Sequence, residues 1–380
     1  MATTLIKGGK VYDHTTHQFL SQDILVENDT IRLIASGIDT NADDVIDAIG
    51  LHVAAGFIDL HCHIFDHPLF QTSRLTADRI GINQGVACLI DTGSAGPTTI
   101  DAFKEFVIDT QETATFALCN VGSPGLPGIA GGHSATPELI SLAGTVKAIE
   151  RNPQWILGVK VLASSSHTGL MGIEAVKIGR KAAELTGTPL MVHIGNAPPV
   201  IDEILALLRP GDIVTHAYHG KIGGVLGYRD EVIPEFKAAV DRGVIVDIAH
   251  GRSSFSFDTC AKAMDQGMPI HTISSDLHMG NVNRYVVSLA RTMSKFRLLG
   301  LTLEDVVRAV TLTPSRALDL HRFGFGTLET GKPANITLFR ESDKAVDVED
   351  AEGQVRTTRH WIEPVLVMVR GNLFSVSETL

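Results

Sequence analysis

Cysteine is scarce in this chain. Four residues, Cys62, Cys88, Cys119 and Cys260, are scattered over 380 positions without a C-x-x-C pair. Neither a disulfide framework nor a thiolate zinc site is therefore indicated. No apolar run approaches the ~18 residues of a membrane span. The opening segment, Met-Ala-Thr-Thr-Leu-Ile-Lys-Gly-Gly-Lys, lacks the apolar stretch and cleavage site of a secretion signal, so the expected location is the cytoplasm. Positive charge is also in deficit. The net charge of −11 argues against nucleic acid as a partner, and an anionic small substrate would need a local cationic anchor against that field. No G-x-G-x-x-G opens a helix after the first long strand, so a dinucleotide site has no support.

The rest of the composition is that of a globular protein, with 44% hydrophobic and 20% charged residues, long enough for one large domain and a smaller one. Sixteen histidines are the oddity. His14, His17, His52, His321 and His360 are expected on the surface or in helices. Residues 1–53 read as short strands and turns with no helical period. They are too few for an independent core. Strand-like segments at Ile336–Phe339 and Val365–Val369 offer a partner, so a small β-sandwich domain is expected from 1–53 and 328–380 together.

Between them, over 54–327, strand candidates alternate with helical patterns. The strands are Phe57–His63, Val86–Thr92, Thr115–Val121, Ile156–Leu162, Pro189–Ile194, Asp212–Ala217, Val244–Ala249 and His271–Asp276. Most are near-continuous apolar runs, as in parallel strands buried on both faces. The helical patterns are Thr99–Thr110, Pro137–Arg151, Gly172–Thr186, Val200–Arg209, Pro234–Asp241 and Asp258–Gln266. Eight strands and their helices over this length predict an α/β fold, a (β/α)8 TIM barrel.

The chemistry of such a barrel sits at the C-terminal ends of its strands. The first strand ends in Asp59-Leu-His61-Cys-His63. Strand alternation sends Asp59, His61 and His63 to one side and Cys62 to the other. The fourth strand carries Lys160, the fifth ends in His193, the sixth in His216 and the eighth in Asp276. Each residue alone has a bland explanation: an ion-paired lysine, a satisfied core histidine, a helix cap. Four histidines, a lysine and an aspartate converging on one mouth do not.

The motifs Gly56-Phe-Ile-Asp-Leu-His61-Cys-His63, Gly158-Val-Lys160, His193, His216, Asp276 and Gly331-Lys-Pro-Ala-Asn335 resemble the amidohydrolase superfamily over essentially the whole chain. The resemblance implies a binuclear metal site. His61, His63 and Asp276 would hold one ion and His193 and His216 the other. Lys160, carboxylated by carbon dioxide, would bridge them. Two divalent ions are expected, Zn²⁺ by the imidazole and oxygen ligand set, with Asp276 as the catalytic acid–base. Within the superfamily the chain looks closest to dihydroorotase-like proteins and a related deacetylase group. The dihydroorotase-like pattern would place an arginine two residues after His63, where Phe65 stands, and a bidentate carboxylate clamp does not tolerate that change. The segments at Val121–Ser134 and Thr215–Gly220 look more like the deacetylases.

The function expected is therefore hydrolysis of an acyl, in particular acetyl, group from a small carboxylic acid such as an N-acetyl amino acid or O-acetyl hydroxy acid. A cyclic amidase of the dihydroorotase or hydantoinase kind differs only in substrate. A non-catalytic scaffold would require a broken ligand set, and all six positions are intact. Arg252 is the expected carboxylate anchor. His133, Ser165, His167, Tyr218, His219 and His250 also lie just beyond strand ends as candidates for substrate contact. The glycine- and proline-rich loop after the third strand is a candidate lid. The partner expected is the small acylated acid, with no nucleic acid or membrane, and self-association is left open.

Overall fold

The computed structural model describes residues 2–66, 75–126 and 134–377. Its framework is a seven-stranded parallel sheet whose neighbours follow chain order. The strands are β1 (Phe57–Cys62), β2 (Val86–Thr92), β3 (Ala114–Asn120), β4 (Ile156–Ala163), β5 (Leu190–Ile194), β6 (Ile213–Thr215) and β7 (Ile245–Asp247). Every residue of β1 to β4 is buried, which is why these strands read as unbroken apolar runs. Helices return the chain between strands. The longest, Ile173–Thr186, buries its Ala175, Val176, Gly179, Ala182 and Ala183 face and ends at Gly187 in the left-handed region, as a glycine stop does.

The segment expected as an eighth strand behaves differently. Thr272 bridges Asp247 at the end of β7, and Leu277 bridges Cys62 at the end of β1. Ile248 N–H donates to the Thr272 carbonyl at 3.2 Å and Asp276 N–H to the His61 carbonyl at 2.7 Å. The segment faces β7 with its first half and β1 with its second, so it forms single bridges rather than a ladder. The two edges of the curled sheet meet through it, which gives the TIM-barrel arrangement.

The second sheet joins both ends of the chain. Its path runs Asn372–Ser375, Trp361–Val369, Ile336–Ser342, His52–Ala55, Thr3–Asp13, Gln18–Glu27 and Thr30–Ala35, with Asp44–Asp47 paired on Thr3–Asp13. It has its own apolar cluster, including Ile6, Val11, Ile24, Val53, Ile336, Leu338 and Met368. Gly56 alone separates His52–Ala55 from β1, so one extended run of chain serves both sheets. His52, expected at the surface or in a helix, is instead a half-buried strand residue stacked on Phe339 with ring centroids 5.3 Å apart. No helix among the described residues is long and apolar enough to cross a membrane.

Candidate functional site

The geometry at the C-terminal end of the barrel begins with the two histidines of the first strand. His61 Nδ1 lies 2.9 Å from Thr215 Oγ1, and the Thr215 hydroxyl donates to Asp247 Oδ2 at 2.7 Å. A hydroxyl has one proton, so Thr215 must accept from His61 Nδ1–H. That fixes the tautomer and leaves the Nε2 lone pair facing the mouth. Asp247 is itself held by Thr272 Oγ1 at 2.6 Å and Ser274 Oγ at 2.8 Å. His63 repeats the arrangement. Its Nδ1 is 2.9 Å from Ser94 Oγ, and Ser94 bonds the buried Asp91 through both backbone and side chain. Two buried carboxylates thus orient two imidazoles through hydroxyls, the kind of outer support that tunes metal ligands.

Asp276 completes this half of the site. Its Oδ1 lies 3.6 Å from His61 Nε2 and 3.2 Å from His63 Nε2. The three residues offer ligand atoms all within 4.8 Å of one another, a spacing that one cation can fill. On the other side His216 donates Nδ1–H to the Ala249 carbonyl at 2.7 Å, so its Nε2 is also free. The His193 and His216 rings are 4.2 Å apart, and His216 is 5.0 Å from His61. Burial holds His61, His193 and His216 well below the ordinary imidazole pKa, so the cluster presents neutral nitrogens, the metal-binding form.

Lys160 stands among them, fully buried on β4. Its nitrogen lies 3.2 Å from His61 Nε2 and 3.5 Å from Met191 Sδ, its hydrogen-bond partners among the described residues. Burial lowers its pKa to about 7. The stem lies against Gly93, where a Cβ would come within 2.7 Å of Lys160 Cγ. Asp276, Asp247 and Asp91 act on the Lys160 charge from a distance, but no carboxylate lies within ion-pair distance of its nitrogen among the described residues, so a buried cation here is poorly compensated. His216 (φ 65°), Ala249 (φ 40°) and Asp276 (φ 52°) all lie in the left-handed region, where strained backbone at a site is held by its surroundings.

The candidate substrate contacts are distributed unevenly. Arg252 is exposed beyond β7, and its charge reaches His278. His167 lies 5.6 Å from His193, ring to ring. Ser165 starts the short helix Ser165–Thr168 that carries His167. His219 is buried, its Nδ1 accepts from Lys221 N–H at 3.1 Å, and its Nε2 has no partner among the described residues. His219 and Lys221 also line a cavity of about 760 Å³ on the loop side of β6. Tyr218 is buried, its ring packs on Phe236, and its hydroxyl donates to the Pro269 carbonyl at 2.6 Å. His250 is likewise buried and turned away, bonded to Lys295. His133 and the middle of the candidate lid fall in 127–133, outside the described residues. Cys62 is buried with its sulfur on the Ile90 carbonyl. Phe65 packs edge-on against Phe103 at 5.3 Å, inside the core.

Sequence reasoning passed over Lys221. It is half-buried and has no carboxylate partner among the described residues. After burial, its charge is among those that push His167, His193, His216 and His219 down, and Asp276 acts on it in return. Its charge therefore acts on the mouth from the wall of the cavity it shares with His219.

No protein-family model matches the chain. A deacetylase of Agrobacterium fabrum is 34% identical over 364 residues, 94% of this chain and 88% of the relative. A deacetylase of Enterococcus faecalis is 32% identical over 374 residues, 97% of this chain and 98% of the relative. The chain belongs to the amidohydrolase superfamily. Two solved structures agree. One described as an adenine deaminase superposes with TM-score 0.92 at 31% identity, covering 99% of this chain and all of that one. One described as a dihydroorotase gives 0.91 at 31% identity, covering 100% and 99%. As an amidohydrolase of the dihydroorotase-like deacetylase group, the protein is a hydrolytic enzyme, and the His61–His63–Asp276 group is where a divalent metal fits.

Proposed function

We propose that this amidohydrolase removes an acetyl or similar acyl group from a small carboxylic acid, using two divalent ions. His61, His63 and Asp276 hold one, and His193 and His216 the other. Carboxylation of Lys160, whose nitrogen lies beside His61 Nε2, would turn a poorly compensated buried nitrogen into an anion able to serve as a further metal ligand. Zn²⁺ suits this set of nitrogens and oxygens. When bound, the ions lower the pKa of a water and polarise the acyl carbonyl. Asp276 would take a proton from the attacking water as its oxygen adds to the acyl carbon, and pass it to the leaving oxygen or nitrogen as the acyl bond breaks. The Asp247–Thr215 and Asp91–Ser94 pairs keep His61 and His63 turned toward the mouth throughout.

The observation that carries the substrate class is the pair of cations at the mouth. Lys221 and Arg252 lack carboxylate partners among the described residues; the charge of Lys221 acts on His193 and His216, and that of Arg252 on His278. A carboxylate on the substrate completes them. Phe65, committed to the core against Phe103, leaves the dihydroorotase-like clamp without its guanidinium. The test is a screen of N-acetyl amino acids and O-acetyl hydroxy acids on metal-replete protein. We expect at least one substrate with kcat/KM above ~10⁴ M⁻¹s⁻¹, the low end for ordinary enzymes. Inactivity toward every acylated acid, or ring opening of dihydroorotate at that rate, overturns the reading.

A further inference from the structure

Outside the histidine cluster lies a second buried lysine. Lys295, on the helix Leu289–Leu298, is fully buried. Its ammonium donates to His250 Nε2 at 2.7 Å and to the Tyr285 carbonyl at 2.6 Å. His250 Nδ1–H in turn donates to the Gly251 carbonyl at 2.9 Å. A methionine would fill this place on the helix without the desolvation penalty of a charge.

What the pair supports is the short turn after β7. Ala249 sits there at φ 40° and Gly251 at φ 57°, conformations that local sterics oppose for alanine. The turn touches the catalytic site twice. The Ala249 carbonyl accepts from His216 Nδ1 at 2.7 Å and sets the direction of that ring. The Gly251 Cα abuts Asp276 so closely that a Cβ would stand 2.4 Å from Asp276 Oδ2. The orientation of a ligand and of the proton-transferring carboxylate both depend on where this turn is held.

We infer that Lys295 is a positioning residue for hydrolysis: through His250 it fixes the Ala249–Gly251 turn, and through the turn it aims the His216 ring and the Asp276 carboxylate. The inference rests on the hydrolytic reading of the site. A misplacement of the order of 1 Å costs about 100-fold in rate, and nothing in the strut touches substrate, so the loss falls on kcat.

The experiment compares full-length, metal-replete variants by kinetics, metal content and the visible spectrum of the Co²⁺-loaded protein. Lys295→Met is expected to fold and keep the wild-type metal content. Its KM should stay within about threefold while kcat falls about 10- to 100-fold. Its Co²⁺ bands should shift, because His216 and Asp276 are ligands. Should Lys295→Met not fold, two His250 variants decide. His250→Gln can accept from Lys295 and donate to Gly251, and should keep most of kcat. His250→Phe keeps the bulk without the bonds and should lose kcat at least tenfold. Wild-type kcat and an unshifted Co²⁺ spectrum in folded Lys295→Met overturn the inference, as do equal losses in the two His250 variants. If wild-type protein turns over no acylated acid, the proposed substrate fails, and the Co²⁺ spectra alone still decide the positioning role.

Discussion

In the proposed mechanism Asp276 would both hold a metal and move a proton, and a single substitution separates the two tasks. Asparagine keeps an oxygen for the ion but cannot take a proton. Asp276→Asn should therefore retain the metal by elemental analysis while kcat drops about 10²- to 10⁴-fold. Behind it, Thr215 is the link between Asp247 and His61. Thr215→Val keeps the shape, removes the hydroxyl and leaves His61 free to choose its tautomer. Metal affinity should fall about 10- to 100-fold, measured by competition with a chromogenic chelator. At the mouth the two cations can be told apart. Lys221→Met and Arg252→Met should each be assayed on a carboxylate-bearing ester and its neutral amide analogue. The anchor is the one whose loss raises KM for the acid about tenfold or more while sparing the neutral compound; equal effects on both compounds clear that residue. The metal-ligand candidates could be read from strand ends because a strand end fixes where a Cα lies. It does not fix where a side chain points, and Tyr218 and His250 turn inward from the same kind of position. Lys221 was hidden because its meaning depends on lacking a carboxylate, which is a property of the folded neighbourhood. Asp247 was hidden because it gathers Thr215, Thr272 and Ser274 from separate segments.

Among the elements, the turns that follow the strands carry the demanding geometry. The turn after β7 has a glycine at a position with no room for a side chain. In Gly251→Ala the new methyl meets Asp276 Oδ2, and φ 57° disfavours an L residue. Displacing the carboxylate should lower kcat about 100-fold, with metal content checked in parallel to confirm that the site still fills. The strands themselves were largely legible. The expected Val86–Thr92 strand and Pro234–Asp241 helix match the observed bounds, because apolar runs and a proline at a helix start are local signals. β6 and β7 are only three residues long. The apolar run extends past the ladder there, since His216 and Ala249 leave extended geometry to reach the site. The eighth segment failed as a strand for a related reason. Its Thr272, Ser274 and Ser275 hydroxyls serve Asp247 and Asp59, and Asp276 turns to the left-handed region at its end.

For the whole molecule, burying so many neutral imidazoles couples folding to pH. Burial holds His61, His193, His216 and His250 well below their ordinary range, and lowers His167 and His219 to about 4. In the unfolded chain these groups take protons near 6.5, so acid favours unfolding. Their stabilisation is present above about pH 6.5 and drains away as pH falls toward the folded values. Asp59, Asp91 and Asp247, which burial raises (Asp59 to about 7), pull the other way, and they are fewer. The unfolding midpoint of metal-free protein should therefore be lower at pH 5.5 than at pH 7.5 by calorimetry; an unchanged or higher midpoint in acid would mean that the carboxyls dominate.

The second sheet has a consequence in time. The edge of His52–Ala55 is covered by Ile336–Ser342, and Phe57 N–H waits for Thr337 Oγ1, 280 residues further on. At a synthesis rate of about 5–20 residues per second, that partner emerges about 15–55 s after the strand it completes. Through that interval the nascent chain carries an unpaired edge with apolar Val53 beside it, the surface that strand-to-strand aggregation uses. Because Gly56 alone divides this strand from β1, the barrel can draw on the same run of chain while its outer half is still open. Slowing elongation lengthens the exposure without altering the finished fold, so the yield of soluble protein, rather than its stability once made, is the quantity that translation speed and chaperones should control.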